Sequence, residues 1–240
     1  MMHILVLQHE TVEHPGIFRS FLAEDGHSYE AVQLQLGEPL PADMSGFDAL
    51  WVMGGPMDVW EEDAHPWLAA EKAFIRDAVS GQNMPYLGLC LGHQLLASAL
   101  GAEVGPGTPE IGMMPVTVDE VPLAVFAGLP TEVETLQWHG AEVKSLPTGA
   151  VSVASSPVCA IQAMRLGHHA VTAQFHLEIE PDTVANWAEI PAYAAALERA
   201  LGPGAVADLD TTVAAAMPSL NATARSFYNN WMALAAGQGS

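Results

Sequence analysis

Residues 85–94 read Pro-Tyr-Leu-Gly-Leu-Cys-Leu-Gly-His-Gln, and this stretch constrains the fold more than any other. A strand-type apolar run, Pro85 to Leu89, passes with no linker into a helical pattern that reaches Leu100 and closes at Gly101. The chain upstream repeats the alternation. Ile4 to Leu7 reads as a first buried strand. Ile17 to Ala23 has helical spacing and stops at Asp25-Gly26, a helix-end signal. Ala31 to Leu36 reads as an edge strand, and Phe47 to Met53 is another apolar run, ending in Gly54-Gly55-Pro56. His65 to Val79 reads as a helix, with Trp67, Ala70, Phe74 and Val79 available for one face. Strands and helices alternating at this spacing call for a parallel sheet covered on both faces.

From about Met113 to Gln174 the pattern changes to shorter strand-like runs, several of them suited to antiparallel pairing: 114–118, 133–138, 151–154, 159–164 and 170–175. After Pro181 the chain is Ala-rich and helical, with breaks expected near Gly202-Pro203-Gly204 and at Pro218. The simplest partition is a single domain, 1–240, with residues 181–240 as a helical extension that caps the sheet or forms a homodimer face. Gly237 to Ser240 reads as a frayed tail.

Charge and composition exclude several classes of function. Seven Lys and Arg against 28 Asp and Glu give a net charge of −21, the wrong sign for a surface that neutralises nucleic-acid phosphates or anionic lipid. Half the residues are hydrophobic, too many for a solvated, disordered coil. The N-terminus lacks the basic region of a signal peptide, and no stretch approaches the ~18 apolar residues of a membrane helix. Two cysteines do not make a disulfide framework. The expected setting is the cytoplasm, with no nucleic-acid or membrane partner.

Cys90 sits where the strand becomes a helix, with Gly88 and Gly92 on either side. That is the arrangement of a nucleophile elbow, in which small neighbours let the backbone close tightly around a strained, reactive residue. A helix N-terminus there favours an anion and offers backbone N–H groups to an oxyanion. Cys159, in Pro157 to Ile161, reads as plain buried strand. A cysteine nucleophile needs a base, and the base needs an orienter. His176 has the best case among ten histidines. Beyond the strand-like Ala170 to Ala173, Gln174, His176, Glu178 and Glu180 alternate with Phe175, Leu177 and Ile179. Period two puts His176 and Glu178 on one side, so the carboxylate accepts from one ring nitrogen while the other faces the thiol. His9 borders the same end of the sheet, His93 falls in the first turn after the elbow, and His168-His169 reads as a hairpin turn. No spacing typical of metal ligands occurs, and no cofactor is implied.

These motifs together resemble the class I (triad) glutamine amidotransferase family, and in particular the glutaminase domain of GMP synthases. Val52-Met53-Gly54-Gly55-Pro56 is similar to the family's glycine loop, and Glu110-Ile111-Gly112 to its Glu-x-Gly segment. Phe126 to Pro130, Trp138-His139-Gly140 and Ala160 to Ala163 also match in order, so that the likeness covers about residues 3–180. The resemblance implies a flavodoxin-like α/β fold with a mostly parallel sheet, extra short antiparallel strands and helices on both faces. It implies that Cys90 attacks the glutamine side-chain amide to form a γ-glutamyl thioester, that His176 moves the proton and that Glu178 orients it. Gly55 and Leu91 would offer N–H groups to the oxyanion, with Gly54 in the same loop, and Gln94 would hold the substrate. The sequence departs from the family's pattern at Leu177, often Pro, and at Ala141, often Asp.

No P-loop or pyrophosphatase-like loop is present, so ammonia would pass to a separate synthetase subunit or simply be released. Two alternatives stay open: a stand-alone γ-glutamyl hydrolase acting on a γ-glutamyl amide or peptide, and a non-catalytic regulatory subunit of the same fold.

Overall fold

The computed structural model describes residues 1–119 and 124–237. Gln238 to Ser240, most of the tail expected to fray, lie outside the described residues. Nine strands form one mixed sheet: β1 (His3–Gln8), β2 (Ser28–Gln33), β3 (Ala49–Val52), β4 (Tyr86–Leu89), β5 (Val104–Val118), β6 (Glu132–Val143), β7 (Ala150–Ser155), β8 (Ala163–Leu166) and β9 (Ala170–Ala173). Their order is β2-β1-β3-β4-β9-β8-β7-β5-β6. The first five in that order are parallel, the doubly wound arrangement in which ligands gather at the carboxyl ends of the strands. The remaining pairings are antiparallel.

Side-chain alternation along the strands feeds two cores. Ile4 and Val6 of β1 face one cluster, with Phe18 and Leu22 of α1 (Phe18–Glu24) and Phe227 and Trp231 of α6 (Ala205–Ala235). Leu5 and Leu7 face the other, with Leu68 and Ile75 of α2 (Trp67–Arg76) and Leu95 and Leu96 of α3 (Leu91–Ala99). Helices therefore cover both faces, as the alternation demands. A third cluster seats α4 (Thr183–Trp187), α5 (Pro191–Leu201) and the first half of α6 on Ile111, Leu136 and Trp138.

Five expectations are corrected. The edge strand runs Ser28–Gln33 and not Ala31 to Leu36, because Leu34–Leu36 turns into a 3-10 helix that buries Leu34. The antiparallel strands are not all short: β5 has 15 residues and β6 has 12, a length hidden by Pro and Gly within β5 and by a register shift between Pro106 and Glu110. Cys159 lies in the turn before β8, not on a strand, although it is buried. The buried face of α2 is Leu68, Glu71 and Ile75, while Ala70 is exposed. Pro218 does not break α6. It sits on the exposed side, while Leu209, Val213, Met217, Leu220 and Ala224 carry the buried stripe through it.

Candidate active site

The elbow forms as expected. Cys90 lies between β4 and α3 with φ 49° and ψ −103°, a left-handed backbone that a side chain rarely adopts. Its N–H donates to the Ala173 carbonyl of the neighbouring β9 at 2.8 Å. Both flanking glycines are sterically required. A β-carbon on Gly88 would lie 2.5 Å from the Gly92 carbonyl oxygen, and one on Gly92 would overlap the Val52 carbonyl. The Gly92 N–H donates to the Met53 carbonyl at 3.1 Å, and the Gly92 carbonyl accepts from the Tyr86 hydroxyl at 2.8 Å.

His176 follows β9, the strand next to β4, and its N–H donates to the Leu136 carbonyl at 2.9 Å. Its Nδ1 lies 2.7 Å from Glu178 Oε1, and Glu178 Oε2 accepts from the Leu177 N–H at 2.9 Å. The Cys90 sulfur is the other group that acts on the ring. Burial opposes a charge on this ring, but Glu178 and Cys90 hold it well above the usual histidine value. The indole of Trp187 stands edge-on to it with ring centres 4.5 Å apart. The segment 174–180 is not a continuous strand, yet His176 and Glu178 share a side as the alternation required.

The glycine loop after β3 comes to the same end of the sheet. A β-carbon on Gly55 would meet His9 Cβ at 2.8 Å and Leu91 Cδ2 at 2.9 Å, so only glycine fits between them. His9 fixes this loop by donating from Nδ1 to the Gly54 carbonyl at 2.8 Å. Because the peptide group is planar and trans, the Gly55 N–H points opposite to that carbonyl. Gly55, Cys90, Leu91, Gln94 and Ala141 line one pocket of about 80 Å³. Leu91 is the first helical residue of α3, so its N–H has no intrahelical acceptor. Gln94 donates to Gln174 Oε1 at 3.0 Å and to the Ala141 carbonyl at 3.3 Å. All seven singled-out residues therefore converge on one end of the sheet.

Sequence reasoning missed three polar residues here. Gln174 Nε2 lies 3.6 Å from the Cys90 sulfur; its shared parity with His176 was the available signal. Glu71, buried on α2, bonds His9 Nε2 at 2.9 Å. Its place on the apolar stripe of α2 was the signal. Glu13 had none. It lies in the loop after β1, accepts from the Tyr193 hydroxyl and packs against Gly54 beside His176. Burial, set against the opposing pull of His176, pushes its carboxyl up to about 7.

Other expected positions resolve as anchors. His139 is tied at Nδ1 to the Ala141 carbonyl at 3.0 Å and at Nε2 to Glu110 at 3.3 Å, while also lining the pocket. His93 is buried with Nδ1 2.6 Å from Thr172 Oγ1, and burial together with the charge of His139 lowers it to about 3. His168 and His169 occupy the β8–β9 turn. Among the described residues, no helix is long and apolar enough to cross a membrane.

The family model described as glutamine amidotransferase class-I matches residues 19–186. The chain is 31% identical over 191 residues to the glutamine amidotransferase-like protein YfeJ of Salmonella typhimurium, covering 76% of this chain and 78% of that one. It is 35% identical over 141 residues to one subunit of the glutamine-hydrolyzing GMP synthase of Sulfolobus acidocaldarius, covering 58% and 71%. Against the GMP synthase of Thermotoga maritima it is 35% identical over 140 residues, which span only 25% of that protein. A glutamine amidotransferase crystal structure from Thermotoga maritima superposes with a TM-score of 0.85 at 29% identity, covering 96% of this chain and 97% of that one. With a match over this much of its length and a fold shared end to end with a solved member, the chain belongs to the class-I glutamine amidotransferase family.

Proposed function

We propose that the protein hydrolyses the glutamine side-chain amide through a γ-glutamyl thioester on Cys90. The observation that carries this reading is the 2.7 Å contact between His176 Nδ1 and Glu178 Oε1, which leaves the ring's other nitrogen for the sulfur. In this reading Cys90 Sγ bonds the amide carbon, the carbon–nitrogen bond breaks and His176 gives the departing nitrogen its proton. Water, deprotonated by the same ring, then cleaves the thioester to glutamate. Negative charge on the carbonyl oxygen would be met by the N–H groups of Gly55 and Leu91, the first aimed by the His9 bond to Gly54. Gln94, in the pocket with Cys90, would hold the substrate.

A relative named as one subunit of a GMP synthase supports a partner that takes the ammonia. We place the chain in the cytoplasm and read it as one domain; its cysteines, both free thiols, are consistent with that setting. A second reading, hydrolysis of a γ-glutamyl amide or peptide, is favoured by Ala141, which puts a methyl group in the pocket where the family often has a carboxylate. The purified protein should be incubated with glutamine and a panel of γ-glutamyl compounds while ammonia, amine and glutamate are measured. Cys90→Ser should abolish turnover. Full activity in that variant would overturn the assignment, and an inactive wild type with an alkylatable Cys90 would favour a non-catalytic role.

A further inference from the structure

Next to the Cys90 pocket is a larger cavity of about 310 Å³. The two share Pro56, Trp138, His139, Gly140 and Tyr193, so they are contiguous around those residues. Two of the shared residues, Trp138 and Tyr193, pack against Trp187, the indole that stands edge-on to His176. The outer wall of the larger cavity is α5, which contributes Ala192, Ala196 and Arg199 opposite Ile111. These α5 residues lie beyond residue 186, where the family match ends, so the wall is not part of what the family model describes.

The size does not suit ammonia. A molecule as small as water takes up about 30 Å³ of liquid, and cavities of roughly 300 Å³ and above accommodate organic ligands. The lining is mainly apolar with a single Lys or Arg, Arg199, which is exposed and has no ion-pair partner among the described residues. Only seven Lys and Arg oppose 28 Asp and Glu in the chain, so an unpaired guanidinium beside an apolar cavity is a distinctive place for an anion.

We propose that this cavity receives the amine half of a γ-glutamyl amide, and that this half is an amino acid with an apolar side chain whose carboxylate pairs with Arg199. The inference rests on Cys90 and His176 acting as described above. Cys90 Sγ bonds the γ-carbonyl carbon, the carbon–nitrogen bond breaks, and the proton from His176 goes to the nitrogen of the departing amino acid. That amino acid leaves through the cavity. Water then cleaves the thioester, its hydroxyl going to the acyl carbon and its proton returning to the sulfur. Glutamine enters the same Cys90 pocket but leaves the cavity empty.

Three substrates separate the contributions: γ-glutamyl-leucine, γ-glutamyl-isopentylamine (the same apolar chain without the carboxylate) and glutamine. The expected kcat/KM for γ-glutamyl-leucine is about tenfold above the other two, the effect of one charge-assisted contact. Arg199→Met should remove that advantage and leave the other two within about twofold, since it deletes only the charge. Ala196→Trp, which fills the cavity, should lower both γ-glutamyl amides and spare glutamine. A preference for glutamine, or an equal loss on all three substrates in Arg199→Met, would overturn the proposal. If turnover is too slow to measure, calorimetric binding of γ-glutamyl-leucine to Cys90→Ala decides. Adding Arg199→Met should weaken it about tenfold, and unchanged affinity would overturn the proposal. Failure of the underlying chemistry looks different: Cys90→Ser would keep cleaving all three substrates, while their order of preference stood.

Discussion

His9 donates from Nδ1 to the Gly54 carbonyl at 2.8 Å while its Nε2 lies 2.9 Å from Glu71 Oε1, with both side chains fully buried. A carbonyl and a carboxylate both accept, so the ring is held as an imidazolium. Burial works against that charge, but the charge and hydrogen bond of Glu71 outweigh it and raise His9 above its ordinary value. Removing one partner of such a pair strands the other. Glu71→Ala should therefore cost about 3–5 kcal/mol in urea unfolding. A loss below about 1 kcal/mol, the range of an exposed pair, would mean that the pair contributes little.

Glu13 gives a pH signature. Its carboxyl goes from 4.5 unfolded to about 7 folded, because burial penalises the anion. A group whose folded value is raised adds stability that is complete below the unfolded value and is lost as the pH rises through the folded one. Relative to Glu13→Gln, the wild type should therefore lose about 3 kcal/mol between pH 4.5 and pH 7. Parallel urea midpoints for the two proteins across that window would refute the assignment.

Alkylation should discriminate between the two cysteines. Burial pushes the Cys159 thiol up to about 12, so at pH 8 roughly one molecule in ten thousand carries its thiolate. Cys90 instead lines an open pocket. A glutamine-like electrophile should add one equivalent, at Cys90, and peptide mapping that found Cys159 modified first would contradict this.

Gly92→Ala forces a β-carbon into the Val52 carbonyl, backbone against backbone with no flexible side chain to yield. Overpacking of this kind costs about 1–3 kcal/mol. Gly105→Ala is the control, because its β-carbon meets nothing nearer than Lys144 at 3.8 Å. Equal thermal midpoints for the two variants would show that the elbow accommodates the extra carbon.

The inner parallel strands β1, β3, β4 and β9 were legible because they are buried on both faces and read as apolar runs, whereas β2, mostly exposed, was placed three residues too late. Cys90, His176 and Glu178 were legible because a tight bend needs Gly88 and Gly92 and because period two is strict on either side of Leu177. Pro218 misled because its local cost, about 3 kcal/mol in a helix interior, is outweighed by the buried stripe on the other side of α6. Glu13 and Glu71 stayed hidden because a lone carboxylate in a sequence reads as surface, and only the fold supplies the histidine and tyrosine that make burial tolerable.

The pairing of β4 with β9 sets when the centre can come into being. Leu89 lies opposite Ala173, and the Cys90 N–H is bonded to the carbonyl of that same alanine. On a ribosome the sulfur's strand emerges long before its neighbour does. Until residues 170–173 arrive, that edge of β4 lacks its ladder and the sulfur faces no imidazole. A nascent chain thus carries the sulfur without its imidazole while the 86 residues from Cys90 to His176 are made, and the two meet only when the middle of the sheet is closed.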